Sequence, residues 1–179
     1  MPVRTTQRLE RRFAGVRAIR DWQCGQVRLA HFGARALNSL RLEKSFGNWA
    51  REYRPLYTPG EAGLDRFVNI AKPDFVGRDA VRRDRASGSA RRLVTFVVDA
   101  TDADAIGDEP VWHDGEVVGW ITSGGYGHCV GKSIALGYVP AALATAVSGF
   151  ELEILGQRRA ALLAREPLLD PQGERMRSG

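Results

Sequence analysis

At 179 residues, 44% apolar and 26% charged, the chain has the make-up of a globular protein that buries a core without disulfide staples, as one large domain or two small ones. Its net charge is +5, but Arg4, Arg8, Arg11, Arg12, Arg17 and Arg20 against Glu10 carry the whole excess, so the rest of the chain is neutral. A nucleic-acid binder needs its basic surface on the fold itself, and this distribution argues against one.

Residues 1–24 form an atypical Arg-rich segment with no clear period. Glu10 and Asp21 interrupt it, which speaks against a transit peptide. Ala34, Leu37 and Leu40 or Arg41 then recur at spacings of three and four, predicting a short helix whose apolar side packs on a core. After Leu42 the composition turns aromatic and loop-like through Tyr53, Pro55 and Tyr57. Thr58-Pro59-Gly60-Glu61 reads as a capping box, cut short by Gly63. Arg66 to Ile70 reads as a strand, Lys72 to Gly77 as a turn, and Arg78 to Arg85 as a helix.

Ala86-Ser87-Gly88-Ser89 breaks the pattern and is the candidate domain boundary. Beyond it strand signals follow one another: 93–98, 111–113, 116–121, 133–139, 150–155 and 159–163. Asp114-Gly115 is a strong two-residue hairpin turn, and Thr122 to Gly125 reads as a second sharp turn. Strands at this spacing imply a barrel or a sandwich. The longest uncharged run, Ser133 to Phe150, contains Gly137, Pro140 and Gly149, and reads as a strand and loop instead of a membrane span.

Few constellations carry chemistry. No Gly-rich loop cradles a phosphate, so no complete flavin or nicotinamide site is in view. Cys24 and Cys129 match no metal-ligand spacing and, without a secretory signal, read as free thiols in a reducing, cytoplasmic setting. His113 abuts the hairpin and reads as exposed; His31 reads as a packing residue. His128 and Cys129 are neighbours, but side chains of adjacent strand residues point to opposite faces and would not form a nucleophile pair. Gly124-Gly125-Tyr126-Gly127 reads as a tight connection ahead of a ligand clamp.

Several stretches, in order, resemble the aminomethyltransferase family, which includes the T-protein of the glycine cleavage system. They are Phe32 to Lys44, Thr58 to Leu64, Lys72 to Val81, Gly119 to Gly127, and Lys132 to Pro140. The Leu-Glu-Lys form at 42–44, the Trp49 segment and Pro167-Leu168-Leu169-Asp170-Pro171 resemble most the folate-binding half of dimethylglycine and sarcosine dehydrogenases.

The resemblance implies an α+β protein: a partial folate-binding α/β subdomain over 25–88, then a C-terminal antiparallel β-barrel over 89–179. It implies transfer of a one-carbon unit from an N-methyl or glycine-derived amine to tetrahydrofolate. The family's catalytic aspartate belongs to an upstream part, so no catalytic residue is assigned here. FAD is expected only in a missing upstream domain or a partner chain, so folate and a flavin-bearing chain are the expected partners. Glu43 matches the glutamate that holds the pterin, where one carboxylate can accept from a ring N–H and an exocyclic amine. Lys72 stands where the family has a basic residue near folate. Glu61 reads as a cap and Tyr57 as core. Relatives in this branch often carry Tyr where Leu169 stands. Two alternatives stay open: an inactive truncated pseudoenzyme, and a folate-binding regulatory or iron–sulfur maintenance relative. The latter's Lys-Gly-Cys-Tyr-x-Gly-Gln-Glu motif lacks its cysteine here, at Lys72 to Asp79.

Overall fold

A computed structural model describes residues 32–175 and 177. Expectations that fall on residues 1–24, Cys24 and His31 lie outside the described residues. Residue contacts divide the chain into two compact units, Met1–Ala34 and Arg35–Gly179, and the account that follows concerns the second.

Six antiparallel strands close into a barrel. They are β1 (Arg91–Val98), β2 (Pro110–His113), β3 (Glu116–Gly127), β4 (Lys132–Pro140), β5 (Phe150–Ile154) and β6 (Gln157–Ala164), in the spatial order β1-β4-β3-β2-β5-β6. β1 pairs with β4 on one side and β6 on the other, so the closed ring leaves no free sheet edge. Ahead of the barrel come helix α1 (Ala34–Glu43), a 3-10 turn at Asp65–Phe67 and helix α2 (Arg78–Ser87). The whole is α+β.

Alternation along the strands places the core. Phe96, Val98, Val111, Ile121, Ala135, Leu152 and Ala161 are among the side chains that fill the barrel interior. On β4 the other parity is buried too: Ile134 and Leu136 face outward and pack with Leu42 of α1. β4 is therefore covered on both faces, which explains its unbroken apolar sequence. Leu42 is fully buried, a contact worth about 2 kcal/mol or more of apolar transfer.

Asp114 and Gly115 join β2 to β3 with φ of 51° and 84°, the left-handed pair of a type I′ turn. Two stretches depart from the sequence expectation. Residues 66–70 form no strand: Phe67 is 70% exposed, so an alternating pattern found no partner strand to pair with. Thr122 to Gly125 makes no turn either, because β3 runs on to Gly127 through a register shift between Ile121 and Ser123. The glycines there serve close approach. A Cβ on Gly124 would fall 2.4 Å from the Ala105 carbonyl oxygen, where the 99–109 loop crosses the barrel.

Candidate functional site

α1 carries strong helix formers and ends in a Schellman motif. Phe46 N–H donates to Arg41 O at 2.8 Å and Ser45 N–H to Leu42 O at 2.9 Å, with Ser45 in the left-handed region at φ 55°. The helix face that packs is Ser39, Leu42 and Glu43, whereas Leu37 and Leu40 of the expected apolar side are 55% and 42% exposed. The hydrophobic period located the helix but misplaced its inner face, because that face carries two polar residues with partners on the barrel.

Those partners are the backbone of the β3–β4 turn. His128 N–H donates to Ser39 Oγ at 3.0 Å. Glu43 Oε1 accepts from Cys129 N–H at 2.6 Å and, more loosely, from Val130 N–H at 3.3 Å. Gly127 makes room: a Cβ there would sit 3.0 Å from Glu43 Cγ. The Glu43 carboxylate is fully buried, yet its Oε2 has no hydrogen-bond partner among the described residues. A buried carboxylate oxygen without a donor costs desolvation energy that nothing in the fold offsets, so it marks a place where a donor belongs.

The Glu43 backbone is held as well. Its carbonyl accepts from Leu169 N–H at 3.0 Å, and Lys44 Nζ donates to the Asp170 carbonyl and, at 3.2 Å, to its carboxylate. Thr95 Oγ1 donates to Ser45 Oγ at 2.9 Å, fixing the end of α1 to β1. The C-terminal segment thus straps the Glu43 region onto the barrel. Leu169 takes part through its backbone, whatever its side chain. Burial alone would raise the Asp170 carboxyl, but the Glu174 amide and Lys44 outweigh it and hold it below the ordinary carboxylate range.

Beside this anchor opens a cleft of about 650 Å³. Lys44, Arg66, Arg177, Phe46 and Phe67 are among its lining residues, which include no carboxylate among the described residues. Glu43 does not line it. Lys72 is exposed in the bend before α2 and lines none of the described clefts. Of the two residues assigned to folate from the sequence, one is buried and anchored and the other stands free of it on the surface.

Other sequence readings fall into place around this geometry. Glu61 caps: its N–H donates to Thr58 Oγ1 at 3.1 Å while its carboxylate accepts from Thr58 N–H at 3.0 Å. The Tyr57 ring stacks on Tyr138 at 3.9 Å between centroids. His113 is half-buried, not exposed, with its ring 4.7 Å from that of Phe150. His128 and Cys129 lie in the turn and not on a strand, so the argument from alternation does not apply to them. A hydrogen bond to the Glu43 carboxylate, then burial and that carboxylate's charge, push the Cys129 thiol up, which disfavours the thiolate a nucleophile needs. Among the described residues no cluster of His, Cys, Asp and Glu could hold a metal, and no helix is long and apolar enough to cross a membrane.

Sequence reading missed a second buried carboxylate, Glu52. Its Oε1 accepts from Thr122 Oγ1 and Ser123 Oγ, both at 2.6 Å, and its Oε2 takes the Asn48 N–H and Arg41 at 3.5 Å. Tyr138 OH donates to its carbonyl at 2.7 Å.

Two family models match the chain: the GCVT N-terminal domain at residues 22–72 and the glycine cleavage T-protein C-terminal barrel domain at residues 91–170. The chain belongs to the glycine cleavage T-protein family. In terms of that family, Glu43 and Glu52 come from the matched part of the N-terminal domain and their barrel partners from the C-terminal one. Mitochondrial dimethylglycine dehydrogenase of Rattus norvegicus is 42% identical over 148 residues, 82% of this chain and 17% of that protein. The aminomethyltransferase of Rippkaea orientalis is 38% identical over 136 residues, 75% of this chain and 37% of that protein. The crystal structure of glycine cleavage system aminomethyltransferase T from Bartonella henselae superposes with a TM-score of 0.79 at 26% identity, over 88% of this chain and 45% of that one. The chain therefore spans less than half the length of each of these relatives.

Proposed function

We propose that the chain forms the C-terminal part of a tetrahydrofolate-dependent one-carbon transferase of the dimethylglycine and sarcosine dehydrogenase type. The supporting observation is the unpartnered, fully buried Glu43 Oε2 at the end of α1. A reduced pterin presents N–H donors along its aminopyrimidone edge, and such a donor suits this oxygen. Because Oε1 already serves two backbone amides, Oε2 is the better acceptor for a ligand, and the pair to the pterin is narrower than a symmetric bidentate one.

Tetrahydrofolate, when bound, supplies the amine that captures the one-carbon unit. This chain's own contribution is to accept a pterin N–H on Glu43, hold that carboxylate against the barrel, and keep water from it by burial. Lys44, Arg66 and Arg177, in a cleft with no carboxylate among its described lining residues, suit the acidic end of a folate. Lys72 is a remoter candidate for the same charge. No described residue is assigned to a flavin or to a proton-transfer step.

Titrating tetrahydrofolate against the chain and against Glu43→Gln tests the reading. Loss of roughly tenfold or more in affinity is expected when the acceptor becomes an amide. Equal affinity for both proteins would remove Glu43 from the site.

A further inference from the structure

We infer that the β3–β4 turn, residues 127–131, is the positioning element for Glu43, so that the barrel sets pterin selectivity without touching the ligand. The inference rests on the functional reading of Glu43 and extends it to residues that reading does not use.

Three successive backbone amides of the turn are committed to two side chains of α1. His128 N–H serves Ser39 Oγ at 3.0 Å, and Cys129 and Val130 N–H serve Glu43 Oε1 at 2.6 and 3.3 Å. Tight turns usually leave their amides to water or to their own carbonyls. Here Gly131 N–H alone closes the turn, onto Gly127 O at 2.7 Å. Two of these donors fix the carboxylate at one oxygen and leave the other without a donor, while the third holds the neighbouring Ser39. An acceptor held in this way pays little ordering entropy when a ligand donor arrives.

Two glycines let the turn approach. A Cβ on Gly127 would meet Glu43 Cγ at 3.0 Å, and one on Gly125 would meet Asn38 Nδ2 and Leu42 Cδ1 at 3.4 Å. Gly125 also has φ of 152°, a backbone that side chains seldom adopt. The Gly124-Gly125-Tyr126-Gly127 run is therefore neither a loop nor a ligand clamp. It is the strand end that brings α1 and the turn into register. Ser39 and Cys129 act through Glu43 and are positioning residues, Cys129 chiefly through its backbone amide.

A merely structural turn would lower affinity for every folate alike. A positioning turn would lower selectivity. The experiment measures dissociation constants for tetrahydrofolate and for its 2-desamino analogue, which lacks one donor of the aminopyrimidone edge. It uses the full 179-residue chain, Cys129→Pro to remove the shorter amide contact, Ser39→Ala to release His128, and Thr58→Ala as a control that loosens a cap elsewhere. The expected result is a preference for tetrahydrofolate in the wild type, retained by Thr58→Ala, reduced about threefold or more by Ser39→Ala, and nearly abolished by Cys129→Pro. If Cys129→Pro does not fold, Ser39→Ala decides. Parallel losses for both ligands in Ser39→Ala and Cys129→Pro, or an unchanged preference in both while Glu43→Gln loses it, would overturn the inference and leave the functional reading standing. A wild-type chain with no preference at all would sink that reading as well.

Discussion

Glu43 and Glu52 are both fully buried on the barrel, yet Glu52 engages both carboxylate oxygens and Glu43 only one. The difference separates a structural carboxylate from an available one. Glu52 ties the loop after α1 to Thr122 and Ser123 of β3. Replacing it with Ala strands the buried Ser123 hydroxyl and the Asn48 amide, while Thr122 keeps the Leu136 carbonyl and Arg41 keeps Asn38 and Phe46, and is expected to cost about 2–4 kcal/mol in urea unfolding. Glu43→Gln keeps the acceptor for the Cys129 amide and removes a buried, half-paired charge. Its unfolding free energy is expected within about 1 kcal/mol of wild type on either side. A larger loss for Glu43→Gln than for Glu52→Ala would reverse these assignments.

The Thr58–Glu61 capping box holds a turn whose far end is also tied down, since Leu93 N–H donates to Glu61 O at 2.8 Å. Thr58→Ala deletes one reciprocal bond and is expected to lower stability by about 1 kcal/mol, measured as a shift of the urea midpoint at unchanged slope. Thr58→Ser should restore most of it. No loss in the Ala variant would mean that Leu93 alone positions the turn.

The barrel was legible because its signals are local. Alternation marked the strands, and Asp114-Gly115 supplied a turn that few other dipeptides specify. The departures share a cause: the deciding partner lies far along the chain. Arg66 to Ile70 alternates like a strand but has none beside it. The β3 glycines look like a turn until the Ala105 carbonyl and α1 are seen against them. Glu52 could not be singled out at all, because its hydroxyl partners are 70 and 71 residues away. Glu43 was found through the family motif. Its anchoring by the turn was invisible, since backbone amides leave no mark on a sequence.

The Lys44–Asp170 strap carries a pH dependence whose sign follows from Asp170. Its carboxyl is held below the ordinary value of 3.8 in the folded chain. A group depressed in this way stabilises the fold above its unfolded pKa and loses that contribution as pH falls through the folded one. The stability gap between wild type and Asp170→Asn, measured by urea unfolding, is therefore expected to be constant from pH 7 to about 5 and to close below about pH 4. A gap that persists at pH 2.5 would show that the carboxylate charge is not what holds the strap.

Gly119 gives the sharpest test of barrel closure. It faces Val111 across the β2–β3 ladder, beside a register shift between Val111 and Trp112, where the two strands twist past each other. A Cβ on Gly119 would fall 2.0 Å from the Tyr138 carbonyl oxygen and 3.1 Å from its carbon, both backbone atoms of β4. Backbone cannot rotate away as a side-chain tip can, so Ala at 119 must push β3 from β4 beside the Trp120–Tyr138 pairing. The expected cost is about 3 kcal/mol or more, at the upper end of what overpacking brings. Gly115→Ala is the comparison: nothing lies within 4 Å of its Cβ, but its φ of 84° strains any side chain. That variant should lose only about 1–2 kcal/mol, the cost of one left-handed residue. Thermal unfolding followed by far-UV circular dichroism ranks the two, and a Gly119→Ala chain as stable as Gly115→Ala would show that β3 and β4 can part without opening the barrel.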